Sequence, residues 1–151
     1  MQKLFVNGPI SPELISREIE KHQEKTGIGA HTFFAGQVRA DKVNDKEVKA
    51  IDFTAYESMA IKEVGKLREE ILAGSPLKCL PIYHSLGEVR IGEVCFFVFL
   101  SGAHRRGCFE ALEQTVDLFK ERVPIWKQLC LEDGSRIWKE NEPVSEHDKE
   151  H

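Results

Sequence analysis

Apolar residues recur along this chain with two periods. Ala60, Val64, Leu67 and Ile71 return every three or four residues, so their spacing predicts a helix with one buried face. Gly74-Ser75-Pro76 stands where that helix should end. Ile51, Phe53 and Ala55 instead alternate with Asp52, Thr54 and Tyr56, the pattern of a half-buried strand. Val94 to Leu100 is almost wholly apolar, which suits a strand covered on both faces.

The remaining segments follow from local signals. Ser11-Pro12-Glu13 supplies an N-cap, a first-turn proline and an acid at the positive end of a helix dipole. Leu14, Ile15 and Ile19 give that helix an apolar side, and Gly27 is its expected stop. His31 to Val38 reads as a strand, and the polar stretch Asp41 to Lys46 as a turn or mobile loop. Lys78 to Leu86 reads as another strand, and Glu88 to Ile91, flanked by Gly87 and Gly92, as a short hairpin element. A third helix is expected from Gly102 or Ala103 to Arg122, with Cys108, Phe109, Leu112, Val116, Phe119 and Val123 as its apolar stripe and Pro124 as its terminator. Ile125–Leu131 and Arg136–Lys139 then form a hairpin closed by Asp133-Gly134. This mixed order predicts an α+β fold with largely antiparallel pairing.

Composition adds bounds. The 151 residues suffice for one domain, expected over residues 1–140, with a polar, disordered tail over 141–151. A net charge of -4 argues against general nucleic-acid binding. No apolar run approaches the roughly 20 residues that span a bilayer. The four cysteines are widely spaced, with no Cys-x-x-Cys pair, which points to a reducing cytoplasm rather than a disulfide scaffold.

Three places could carry chemistry. Ser101-Gly102-Ala103-His104-Arg105-Arg106 leads from a buried strand into a helix, where free backbone N–H groups and the dipole attract anions. Cations are electrostatically misplaced in a first helical turn, and a bound anion would resolve the conflict. Solvated arginines paired with nearby acids explain the same residues equally well. At the far end, Lys120 complements the dipole as many exposed lysines do, whereas Lys127 follows Pro124-Ile125-Trp126, and an aromatic neighbour can shield an ammonium group. Arg39 ends the strand Phe34-Ala35-Gly36-Gln37-Val38, where it is either an ordinary strand-end residue or a bidentate anion ligand. His104 and Cys108 lie one helical turn apart but lack further partners with metal-ligand spacing, so no metal is expected. Phosphate-loop, dinucleotide and Gly-x-Ser-x-Gly motifs are absent from the sequence.

In order and spacing these pieces resemble the molybdopterin synthase large-subunit family. The resemblance runs from about Phe5 to Trp138, through Phe34–Arg39, Tyr56–Ala60, His84–Glu88, Ser101–Arg105, Phe109–Ala111, Lys120 and Pro124–Lys127. It implies an α/β hammerhead fold with an added small antiparallel β subdomain, and a homodimer within a heterotetramer. The other partner would be a small ubiquitin-like sulfur-carrier subunit, whose C-terminal Gly-Gly thiocarboxylate enters a pocket of the large subunit. The implied activity is that of a sulfurtransferase in molybdenum cofactor biosynthesis, converting cyclic pyranopterin monophosphate to the dithiolene of molybdopterin without a metal or organic cofactor.

Carried over by position, the catalytic residues are Lys120 and Lys127. The substrate-binding set is Gln37, Val38, Arg39, His104, Arg105, Lys120, Lys127 and Gln128, with Arg39 serving its own or the neighbouring protomer's site. Two positions depart from the family pattern. Many relatives follow the lysine at 127 with a base and then a glutamate, where this chain has Gln128-Leu129, and Gln37 stands where relatives often carry a base. Two other classes fit less well: a non-catalytic module that holds the carrier, and a nucleotide or RNA phosphate binder, which the acidic balance disfavours.

Overall fold

The protein is described by a computed structural model over residues 3–73 and 77–139. The expected tail at 141–151 and the helix stop at Gly74-Ser75-Pro76 lie outside the described residues. The chain runs β1 (Phe5–Asn7), α1 (Pro12–His22), β2 (Ala30–Gln37), β3 (Lys42–Val43), β4 (Lys46–Ala55), α2 (Glu57–Ala73), β5 (Leu77–Cys79), β6 (Ile82–Arg90), β7 (Val94–Gly102), α3 (Cys108–Arg122), β8 (Ile125–Leu131) and β9 (Arg136–Lys139). Its strands pair in the order β2-β7-β6-β4-β8-β9, with β1 on β6, β3 on β4 and β5 on β7. All pairings but that of β1 with β6 are antiparallel, so the α+β class expected from the element order holds.

β7 is covered on both faces, as its unbroken apolar run predicts. Phe96, Val98 and Leu100 enter a core with Leu67, Ile71 and Phe119, while Phe97 and Phe99 pack on the other side with Ile10 and the partly buried Leu14, Ile15 and Ile19 of α1. The α2 face is the one its spacing requires: Ala60, Val64, Leu67 and Ile71 are its buried residues. Ser11 caps α1 through a bond accepted from the Leu14 amide.

Several boundaries differ from expectation. α1 ends at His22, well before Gly27. Of the two readings of 41–46 the turn holds: β3 and β4 make a hairpin across Asn44 and Asp45, both with positive φ (53° and 63°). Asn and Asp tolerate that conformation, so the polar run makes a two-residue turn between short strands. The expected strand at 78–86 is split into β5 and β6 at Leu80-Pro81, and Glu88–Arg90 continues β6 rather than making a hairpin of its own. Gly87, with φ 84°, marks where β6 leaves β7 and pairs with β4.

α3 begins at Cys108, five or six residues later than expected. Gly102 still belongs to β7, paired with Ala30, and Gly107 turns the chain with φ 84° before the helix starts. The buried face is also centred differently from the expected stripe. Cys108, Thr115 and Phe119 point inward, whereas Phe109 is 69% exposed and is not part of the stripe. The buried Thr115 hydroxyl donates to the Ala111 carbonyl at 2.7 Å, which makes a polar residue tolerable there.

Candidate functional site

The best-formed concavity, about 480 Å³, lies between the end of β2, the end of α3 and the inner face of the β4–β8–β9 unit. Lys120 reaches it from the last turn of α3, Lys127 from β8, and Gln37, Val38 and Arg39 from the end of β2. Consecutive elements thus bring both expected catalytic lysines to one space, and the end of β2, distant in sequence, closes it from the other side. Its floor is aromatic: Phe34, Phe53, His84, Phe96 and Phe119 all line it. Such a floor with a cationic rim suits a flat, anionic molecule.

His84 was not legible as a site residue, because nothing in a strand sequence says that a histidine faces a cavity. It is 7% exposed, stacked on Phe119 (centroids 5.6 Å apart, planes 10° apart) and edge-on to Phe53. Nδ1 lies 2.8 Å from the Ser85 carbonyl oxygen, which calls for a donor and leaves Nε2 as the acceptor of a neutral ring. Burial lowers its pKa to about 4, helped by the positive charges of Lys127 and Lys120 and opposed by the Ser85 bond. Cys95 also lines the cavity, and burial raises its thiol pKa, so it stands as a neutral thiol rather than a nucleophile.

Arg39 sits at the rim, 82% exposed, with both of its contacts going to Asp41: Nε donates to Oδ1 at 2.7 Å and Nη2 to Oδ2 at 3.3 Å. Val38 is 2% exposed, and its amide and carbonyl are bonded to Glu93 and Gly92, so it offers only a wall. Gln128 is elsewhere. Alternation along β8 turns its side chain to the opposite face from Lys127, where Arg136 donates to it at 3.2 Å and to Asp52 at 3.0 Å. Leu129 is the next residue on the cavity side.

His104 and Arg105 do not join this group within one chain. They lie in the 103–107 loop, in a separate open concavity bounded by Gly29 and Gly107 at the other end of α3. The 15 residues of α3 make a rod of roughly 22 Å. The single site expected to run from helix start to following strand is thus two places in one protomer. α3 has no side-chain cap, its Cys108 amide donates to the Arg105 carbonyl at 3.1 Å, and the helix start is at Gly107 and not at Gly102 or Ala103. Cys108 is buried and its thiol donates to the His104 carbonyl, a structural bond.

Comparison with known proteins identifies the family. The family described as MoaE protein matches residues 6–122. The chain belongs to the MoaE family. A Pyrococcus abyssi molybdopterin synthase catalytic subunit is 39% identical over 117 residues, covering 78% of each chain. The Drosophila willistoni protein of the same name is 41% identical over 76% of this chain, which spans only 31% of that longer relative. Among solved structures, Staphylococcus aureus molybdopterin synthase superposes with a TM-score of 0.78 at 27% identity, covering 92% of this chain and 97% of that one.

Proposed function

We propose that this chain is the catalytic subunit of a molybdopterin synthase, a sulfurtransferase working on cyclic pyranopterin monophosphate with a small ubiquitin-like carrier. The observation that carries this reading is the convergence of Lys120 and Lys127 on one aromatic-floored cavity. Both reactants are anions, a cyclic phosphate and a C-terminal thiocarboxylate. A cationic cavity lowers the cost of bringing them together and of the negative charge that builds as sulfur adds. The aromatic floor would stack against the pterin.

In this reading Lys120 offsets charge and supplies protons as sulfur bonds to the substrate carbon and the phosphate ring opens. Lys127 orients the carrier's C-terminus and supports the acyl intermediate. Arg39, with Gln37 and Val38 beside it, borders the phosphate side. His104 and Arg105 reach the same substrate only from a second copy, because one protomer keeps them at the opposite end of α3. A homodimer within a heterotetramer follows. Among the described residues no helix is long and apolar enough to cross a membrane. The four free cysteines suit a reducing compartment such as the cytoplasm.

Reconstitution with thiocarboxylated carrier and cyclic precursor tests the reading directly. Molybdopterin should form with the unaltered chain and be lost with Lys120→Ala. No product under conditions that support a known synthase, or full product from Lys120→Ala, would sink it.

A further inference from the structure

In the β8–β9 hairpin Lys127 stands directly opposite Lys139, and both line the 480 Å³ cavity. Residues so paired in an antiparallel ladder have Cβ atoms about 5 Å apart, and like charges there destabilise the hairpin. On the same face the neighbouring pair is Leu129 with Ile137, so an apolar residue at 139 would continue the pattern without that cost. Lys120 enters the same cavity from α3. Lys120, Lys127 and Lys139 thus face one space, two of them side by side across a strand pair.

We propose that Lys139 is a third binding lysine of this site, forming with Lys127 a two-ammonium clamp for an anionic group carrying two acceptor atoms. The inference rests on the functional reading above and goes beyond it, since Lys139 has no counterpart in the residues carried over from the family. Lys127 is half-buried and Lys139 exposed, so the clamp runs from the cavity wall to its mouth. Two ammonium groups on adjacent strands match the spacing of a carboxylate-like or phosphate head better than a single point charge does. The head group is either the thiocarboxylate of the carrier or the phosphate of the small substrate.

The test uses the full chain with Lys139→Gln, Lys139→Glu and Lys139→Arg. Calorimetry gives Kd separately for the thiocarboxylated carrier and the cyclic precursor, and steady-state assays give KM and kcat. Lys139→Gln should weaken one reactant about three- to tenfold and Lys139→Glu more, with kcat within about twofold and recovery in Lys139→Arg. The reactant that weakens identifies the head group. Removing the like-charged neighbour should leave Tm unchanged or higher, which separates lost binding from damaged folding. Unchanged Kd for both reactants in Lys139→Glu overturns the clamp. A wild-type chain that binds both but makes no product overturns the functional reading while the Kd comparison still decides the clamp.

Discussion

The imidazole of His84 lies almost parallel to the ring of Phe119, with centroids 5.6 Å apart, at the floor of a cavity bordered by Lys120 and Lys127. The ring is neutral there, with a pKa near 4 against 6.5 for an ordinary histidine. The unfolded chain therefore takes up a proton at 84 more readily than the folded one. Stability should fall as pH drops below 6.5 and level off near 4, by about 3 kcal/mol from this group. Urea unfolding across that range, compared with His84→Phe, checks it; the variant should lose that share of the slope. An identical slope in both would refute a buried neutral ring.

Neighbours in sequence should behave oppositely at 127 and 128. Lys127→Ala should lower kcat/KM by about a hundredfold or more, as loss of a positioned acid–base group does. Gln128→Ala should stay within about threefold, because its side chain lies on the other face of β8 with Arg136 and Asp52. Steady-state kinetics on the two variants would show a comparable loss in both if Gln128 touches substrate.

At the rim, Asp41 competes with any ligand for Arg39. Asp41→Asn should strengthen binding of the anionic substrate by about two- to fivefold, while the exposed ion pair it removes contributes about 1 kcal/mol or less to stability. Calorimetric titration and Tm of the same variant read both effects. Weaker binding would mean that Asp41 holds Arg39 in its working position rather than withholding it.

Because one protomer separates His104 from Lys120, a shared site makes a complementation prediction. His104→Ala and Lys120→Ala should each be nearly inactive alone. Mixed after dissociation and reassociation, they should recover about a quarter of wild-type activity, since half the dimers are mixed and each has one intact site. No recovery, with mixed dimers verified by mass, would mean that each protomer works alone.

Much of the fold was legible where one period dominated. The α2 stripe, the doubly covered β7 and the β8–β9 hairpin all follow from residue spacing alone. What escaped were positions where tertiary pairing overrode a local signal. Gly102 looked like the end of a strand and the start of a helix, yet β7 keeps it through Ala30 and the helix waits for Gly107. Phe109 leaves the stripe because the buried face centres on Cys108, Thr115 and Phe119, about 100° around the helix from it. Gln128 could have been separated from Lys127 by strand alternation, a signal present in the sequence and masked by the family motif. His84 and Lys139 needed the folded neighbourhood, because only β4, β7 and α3 together make a histidine a floor, and only the hairpin register sets Lys139 opposite Lys127.

The loop carrying His104 and Arg105 rests against Gly29, whose amide donates to the Gly102 carbonyl at 3.0 Å. A methyl group at 29 would overlap the carbonyl oxygen of Ala103. An inherited change there would alter no charge, no lysine and no core residue, and a variant-scoring scheme built on those features would pass it as benign. It would nevertheless push the cation-bearing loop off its seat, so position 29 belongs with the lysines when alleles of this protein are ranked for loss of function.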